Sequence, residues 1–330
     1  MELPSALRQA VDRALSGIAL ADLTAAAALL SQRYRAEIRD GRFHLADDMA
    51  ALAYLTTRLP ATYAAIRAAM AAAAQLLPDF SPLSLLDVGA GPGSALWAAA
   101  DTWPGLDDAL LIEGSAAIRA QGENLAAASS VARIAWRPGN VPVDLPALFP
   151  PDSMRRDLVT LAYVLDELAP AARDLLVEQL WSMTGGLLLI VEPGTPAGWQ
   201  RILTARGLLI DAGAVLVAPC PHAAPCPLAA PDWCHFSRRV ARSRLHRQVK
   251  GADVPWEDEK FIYLAAARPA IAQSETKESP SRILAPPRGT GGRIGLKLCT
   301  PGGTVENRAF SKRDGDAYKA ARRRDWGDVL

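Results

Sequence analysis

The chain has 330 residues, of which 50% are hydrophobic and 22% charged, so it holds ample apolar material for a buried core and too little charge to be disordered throughout. Four cysteines in that length exclude a disulfide scaffold, and the longest apolar run, residues 59–77, is broken by Pro60 and Arg67, which excludes a membrane span. The net charge of +1 hides an asymmetry: from Trp233 onward there are 20 Lys and Arg against 11 Asp and Glu, or +9, while residues 1–232 carry 16 against 24, or −8. A basic third on an acidic body predicts a surface for a polyanion, because cations that neutralise phosphates release counterions. A solvated basic face is the plainer alternative. The first thirty residues lack a basic segment followed by an apolar one, so no secretory signal is read and a cytoplasmic location is expected.

In chain order, residues 3–77 carry apolar positions at helical spacing (Leu15, Ile18, Leu20, Leu23, then Met49, Leu52, Leu55, Leu59) and predict a small helical domain over residues 1–78. Prolines at 78 and 82 punctuate the chain before the apolar run 83–88, of the kind a buried parallel strand needs. Strand-like runs follow at 109–113, 132–136, 157–164, 186–192, 214–218 and 260–267, with helix-like segments between most of them. That alternation predicts a mostly parallel α/β sheet over residues 79–268. The last two runs are separated by about forty residues rich in Cys, Pro and Arg, read as an insertion at 219–252. Residues 269–281 read as a polar linker, and glycines with short strand-like pieces such as 294–299 predict a β-rich basic appendage to complete the unit 269–330.

The chemistry begins at Asp87-Val88-Gly89-Ala90-Gly91-Pro92-Gly93, directly after the first strand and before a helix-like segment, 94–100. Glycines permit a tight turn and close backbone approach by a ligand, and the following helix N-terminus adds N–H donors. Glu113 ends the next strand, twenty residues after Gly93, where a carboxylate can accept both hydroxyls of an adenosine ribose. The spacing departs from the G-x-G-x-x-G of nicotinamide-binding folds. The acid before the glycines and a probable antiparallel pair at the C-terminal edge resemble the class I S-adenosylmethionine-dependent methyltransferases. That resemblance implies a Rossmann-like sheet in which Asp87, Gly89, Gly91 and Gly93 line the methionine end, Glu113 holds the ribose and Asn140 stands on the adenine side.

After the fourth strand the chain reads Leu161-Ala162-Tyr163-Val164-Leu165-Asp166-Glu167, without the polar-proline-proline-aromatic motif of enzymes that methylate exocyclic base nitrogens. No cysteine precedes Cys220 in the sheet region to act as a nucleophile on a pyrimidine carbon. Asp166, Glu167 and Glu192 remain as acid–base candidates, with a helix N-terminal pair as the structural alternative for the first two.

All four cysteines lie after residue 219, as Cys220, Cys226 and Cys234 in a C-x5-C-x7-C pattern and Cys299 a further 65 positions on. Such clustering predicts a metal site, with zinc, recruiting His222 or His235, and an iron–sulfur cluster both open on spacing alone. The glycine loop, the run Ile190-Val191-Glu192-Pro193-Gly194-Thr195-Pro196-Ala197-Gly198, the Cys-Pro-His, Cys-Pro-Leu and Trp-Cys-His-Phe pieces and the basic run behind them resemble the methyltransferase-like proteins of the mitochondrial small ribosomal subunit and their bacterial relatives, over about residues 40–300. This resemblance implies a [4Fe-4S] cluster on Cys220, Cys226, Cys234 and Cys299, stapling the appendage to the core, and association with small-subunit ribosomal RNA during assembly.

Residues 235–250 carry Arg238, Arg239, Arg242, Arg244, Arg247 and Lys250 with no acid. On a helix, Arg238, Arg242 and Arg239 share a face while Val240, Leu245 and Val249 turn inward, which predicts a cationic strip for RNA phosphates. The tail adds Lys312, Arg313, Lys319, Arg322, Arg323 and Arg324. The favoured reading is a non-catalytic or weakly catalytic factor that binds S-adenosylmethionine, the cluster and immature small-subunit RNA. The alternatives are an active ribosomal RNA methyltransferase and a small-molecule methyltransferase with a zinc-stabilised insertion.

Overall fold

The apolar run Ser84–Val88 forms strand β1, buried on both faces at its last four positions, in a computed structural model that describes residues 1–35, 45, 47–149, 154–272 and 280–330. Ahead of it come helices α1 (Ser5–Ala14), α2 (Leu20–Arg35), α3 (Asp48–Thr57) and α4 (Leu59–Leu76). The side chain of Asp47 accepts the Ala50 N–H at 2.8 Å and caps α3, and Pro60 fits the first turn of α4, where no N–H partner is needed. After β1 come α5 (Ser94–Thr102), β2 (Asp108–Ile112), α6 (Ala116–Ala126), β3 (Arg133–Arg137), α7 (Leu145–Leu148), β4 (Arg156–Ala162), α8 (Pro170–Met183), β5 (Thr184–Pro193), α9 (Pro196–Asp211) and β6 (Val215–Ala218). The Cys-rich segment leads into β7 (Phe236–Ala241), α10 (Arg244–Lys250) and β8 (Trp256–Ala267).

The main sheet runs β3-β2-β1-β4-β5-β8-β6, with β7 also paired to β8. Strands β1 to β5 are parallel, and β8 returns antiparallel between β5 and β6, so the fold is the α/β class I methyltransferase type. From β1 the chain winds outward through β2 to β3, then returns to β4 on the other side of β1. Right-handed crossovers therefore put α5 and α8 on opposite faces, and the chain leaves β1 and β4 toward opposite sides at this switch point, the place where doubly wound sheets form their ligand crevice. Helix α4 packs on α5 and β8, and a continuous set of buried side chains runs from Leu7 through the sheet to Ala267.

Two expectations change here. The basic segment expected on one helix is a strand followed by a short helix: β7 pairs antiparallel with the first half of β8, Arg239 opposite Asp258 and Arg238 opposite Glu259. Opposite charges directly across an antiparallel pair stabilise the ladder, and Phe236 and Val240 are buried from it. For the same reason β8 begins at Trp256, four residues before the apolar run that announces it.

Beyond β8, a short helix α11 (Pro269–Ala272) takes the first four positions of the segment expected as a linker over 269–281, and residues 273–279 of it lie outside the described residues. The appendage is a second sheet of β9 (Arg282–Ile283), β10 (Arg288–Thr290), β11 (Arg293–Cys299) and β12 (Val305–Ser311), followed by α12 (Asp316–Arg322). Ile283, Leu296 and Leu298 bury one sheet face against Ala321 of α12, a small core of its own.

Candidate functional site

At the crevice, Gly89, Gly91 and Gly93 are all left-handed, with φ of 67°, 55° and 85°. A Cβ on Gly89 would stand 2.4 Å from Val164 Cγ2, so the loop after β1 closes on the residues after β4 only because position 89 has no side chain. Glu113, at the end of β2, accepts the Gly91 N–H on one carboxylate oxygen and the Ser115 N–H on the other, each at 2.8 Å. It thereby ties the glycine loop to the start of α6, and each oxygen keeps a second lone pair. Burial raises the pKa of Glu113, against these hydrogen bonds.

Asp87 is 2% exposed; its Oδ1 accepts the Thr160 hydroxyl at 2.7 Å, and its Oδ2 is buried with no partner. Burial, opposed by the Thr160 bond and reinforced by Glu113, pushes the Asp87 carboxyl up to about 7. A buried acceptor left open beside a turn of left-handed glycines fits a ligand with a cationic amine, and Glu113 next to it fits vicinal hydroxyls. Asn140 is exposed on the loop after β3, where its backbone N–H donates to Asp144 Oδ2 at 2.8 Å.

The acid–base candidates occupy different situations. Glu192 is fully buried: Arg201 Nε donates to one oxygen at 2.6 Å and the Leu165 N–H to the other at 3.1 Å. Burial and the Asp166 charge push Glu192 up to about 8 against the pull of Arg201, and both of its oxygens hold the turn after β4 onto α9. Asp166 and Glu167 lie in that single 3-10 turn, residues 165–167. Desolvation of the Glu167 carboxyl, then the charges of Asp166, Glu113 and Glu192, raise it to about 8. The residue as a whole is exposed, so crowding by the three carboxylates is the sounder cause.

Nothing in the sequence signals Tyr163, which follows β4 in the left-handed region with φ of 60°, a strained conformation for an aromatic residue. Its hydroxyl donates to Glu259 Oε1 at 3.1 Å, and Glu259 also accepts from Arg58 at 3.2 Å, so the strand end is tied to the start of α4.

The cysteines come together. Cys220, Cys226 and Cys234, from the loop between β6 and β7, and Cys299, at the end of β11, line one cavity with Trp199, Ile202, Ile262 and Tyr263. All four are free thiols, and burial together with the neighbouring thiols raises Cys234 well above its ordinary value and Cys299 to about 12. His222 also lines the cavity, its Nε2 3.4 Å from Cys299 Sγ, whereas His235 stacks on Trp233 at 4.9 Å and meets Trp326 edge-on. Among the described residues, no group of three His, Cys, Asp or Glu side chains is arranged to hold a single metal ion. Two buried arginines that the sequence reading missed complete the walls: Arg206 of α9 and Arg282 of β9. The one available signal was Arg206 falling on the apolar face of its helix, among Ile202, Ala205 and Leu209.

The basic positions are partly neutralised. Arg239 makes a two-point ion pair with Asp258 at 2.9 and 3.1 Å and lies 5.4 Å over the Trp256 ring. Arg242 and Lys250 share Glu257, at 3.0 and 3.4 Å. Arg238 and Arg244 are exposed and Arg247 is half-buried. His246, fully buried on α10, lies 3.7 Å from Glu257, and burial lowers its pKa to about 4.

The family model described as mitochondrial small ribosomal subunit Rsm22 matches residues 48–330. The chain is similar to the human mitochondrial ribosome assembly protein METTL17, with 30% identity over 292 residues that cover 84% of this chain and 62% of METTL17. It is 25% identical over 197 residues to Rsm22-cox11 tandem protein 2, mitochondrial, of Schizosaccharomyces pombe, covering 47% of this chain and 26% of that protein. The chain thus spans less than two thirds of the length of either relative. Among solved structures, an O-methyltransferase family protein from Burkholderia thailandensis gives a TM-score of 0.43 at 13% identity, covering 72% of this chain and 68% of that one. Magnesium protoporphyrin IX methyltransferase from Synechocystis with bound S-adenosylmethionine gives 0.39 at 14%, covering 72% and 90%. Both curated relatives are mitochondrial proteins by name, which overturns the cytoplasmic location expected from the N-terminal residues. No helix among the described residues is long and apolar enough to cross a membrane.

Proposed function

We propose a function for this chain from the premise that it belongs to the Rsm22 family of the mitochondrial small ribosomal subunit: it is a methyltransferase-like factor in small-subunit assembly. It binds S-adenosylmethionine at the crevice, where Asp87 takes the ammonium group through Oδ2 and Glu113 takes the ribose hydroxyls through the lone pairs that Gly91 and Ser115 leave open. Gly89, Gly91 and Gly93 let the backbone close on the ligand, and Asn140 serves the adenine side. The bound ligand supplies a transferable methyl group, and this chain's own contribution is to order the glycine loop against the turn after β4.

Cys220, Cys226, Cys234 and Cys299 hold a [4Fe-4S] cluster. Three of these ligands come from the core and one from the appendage, so loading contributes folding free energy to the junction between them. Arg238, Arg239, Arg242, Arg244, Arg247 and Lys250, with the basic tail at Lys312, Arg313, Lys319, Arg322, Arg323 and Arg324, contact phosphates of immature small-subunit ribosomal RNA. The pairs to Glu257 and Asp258 hold the arginines in place and lower the charge that phosphates meet, which gives a shallower salt dependence than the residue count predicts.

The observation that carries this reading is the convergence of four cysteines, spread over 79 positions, on one cavity between core and appendage. Anaerobic purification followed by iron, sulfide and zinc analysis tests it, with about four irons and four sulfides per chain expected. One zinc and no sulfide would instead favour a small-molecule methyltransferase with a zinc-stabilised insertion. Cys226→Ser is expected to lower thermal stability and RNA affinity together while S-adenosylmethionine still binds; an unchanged unfolding temperature sinks the stapling idea. An active ribosomal RNA methyltransferase is the second reading, favoured by Glu167, whose carboxyl titrates at about 8 beside the crevice and so can move a proton near neutral pH. Transfer of labelled methyl groups into small-subunit RNA, lost in Glu167→Gln, tests it.

A further inference from the structure

Among the described residues, three arginines are buried, two in α9 of the core and one in β9 of the appendage, and only one has a carboxylate. Arg201 pairs with Glu192 at 2.6 Å. Arg206 and Arg282, which are 6% and 2% exposed and line the cysteine cavity, form no ion pair with any carboxylate among the described residues. Their hydrogen bonds to oxygen all go to neutral carbonyls, and the Arg206 guanidinium also meets the Cys220 thiol. Arg206 donates to His222 O at 2.8 Å and Ala224 O at 2.7 Å, inside the Cys220–Cys226 loop, and its Nε is buried with no partner. Arg282 donates to Pro219 O at 3.1 Å, next to Cys220, and to Gly327 O at 2.8 Å. One guanidinium comes from α9 of the core, the other from β9 of the appendage, where Arg282 is the register partner of Cys299.

A buried charge without a counter-charge is strongly unfavourable, and arginine does not escape by losing its proton. With four neutral thiols in the cavity, both guanidiniums are uncompensated. We infer that Arg206 and Arg282 are the counter-charges of the metal centre held by the four cysteines and set its preferred net charge at two negative units. The inference rests on the proposed metal site but not on which metal fills it. Four thiolates around an iron–sulfur core carrying two positive charges have that net charge, and so do four thiolates around one zinc ion. For the iron–sulfur case, adding an electron takes the centre past the charge that the two arginines match.

The test compares the full-length chain with Arg206→Gln and Arg282→Gln, and with Arg206→Lys and Arg282→Lys, which keep the charge and lose the planar fork. Each protein is purified anaerobically, its iron, sulfide and zinc are measured, and its melting temperature is recorded loaded and after the metal has been stripped with a chelator. A charge role predicts that each Gln variant narrows the gap between loaded and stripped melting temperatures, by lowering the first and raising or sparing the second. The Lys variants recover most of that gap. If instead the arginines only brace the carbonyls of His222, Ala224, Pro219 and Gly327, the Gln variants lower both temperatures alike and leave the gap unchanged, which overturns the inference. If a Gln variant fails to fold, the corresponding Lys variant still decides: loaded and stripped melting temperatures both close to wild type support a charge role, because Lys keeps the charge without the fork, whereas both temperatures lowered alike oppose it. Metal content of the wild-type chain is a separate readout. Zinc without sulfide defeats the iron–sulfur proposal and leaves the charge inference to the melting data, whereas a chain that takes up no metal defeats both.

Discussion

The open oxygen of Asp87 makes ligand binding at the crevice depend on pH in a way that can be calculated. Burial holds this carboxyl at about 7 in the free protein, and a cationic amine pairs only with its ionised form. Ionisation rises from about one tenth at pH 6 to about one half at pH 7, so affinity for S-adenosylmethionine is expected to rise about fivefold over that unit. At pH 7, binding releases about half a proton. The sign follows from the direction of the shift: burial raises the carboxyl, so the proton is held by the free protein and expelled by the ligand's positive charge. Above about 7.7 the ligand's own α-amine starts to deprotonate, so affinity turns down and the profile is bell-shaped. Isothermal titration at a series of pH values, in two buffers with different heats of ionisation, measures both the affinity and the proton release. Asp87→Asn is expected to remove the rising limb and leave only the falling one. A flat wild-type profile between pH 6 and 7, or an equal slope in the Asn variant, refutes the assignment of Asp87 to the amine.

Other expectations rest on equally local geometry. Gly89→Ala forces a Cβ into Val164 and imposes a left-handed alanine costing about 1–2 kcal/mol, so S-adenosylmethionine binding should be lost and the melting temperature lowered. Adding Val164→Ala relieves the clash but not the dihedral strain, and calorimetry should find only partial recovery. Arg201→Leu leaves Glu192 buried without its partner and is expected to cost about 3–5 kcal/mol in denaturant unfolding, most of which Arg201→Leu combined with Glu192→Leu should restore. His246 is held at about 4 by burial against 6.5 when unfolded, so the unfolded chain binds the extra proton between these values. Stability should therefore fall as pH drops through that window, by up to about 3 kcal/mol, and His246→Phe should flatten the slope seen in urea unfolding.

What the sequence made legible is what depends on neighbours along the chain. Leu85-Leu86-Asp87-Val88 reads as a buried parallel strand because both faces need apolar residues, and the glycines that follow report a turn whose φ values other residue types adopt only at a cost. The three cysteines at 220, 226 and 234 were legible for the same reason, as composition concentrated in one stretch, whereas Cys299, 65 positions further on, joined them only through the family resemblance. The misread elements depend on partners far away in the chain. Arg238 and Arg239 look like one face of a cationic helix until Asp258 and Glu259 are placed opposite them, and then the same residues make a strand whose charge is half cancelled. Tyr163 carries no local sign of its left-handed backbone, which is held in part by a hydrogen bond to a residue 96 positions later. Charge counting failed in the instructive direction: Arg282 adds one unit to the +9 of the C-terminal third, yet it is buried beside the cysteines and offers nothing to a polyanion outside. A total over a segment treats every arginine as surface, and what separates a binding face from a built-in counter-charge is whether a carboxylate, a phosphate or a thiolate stands opposite it.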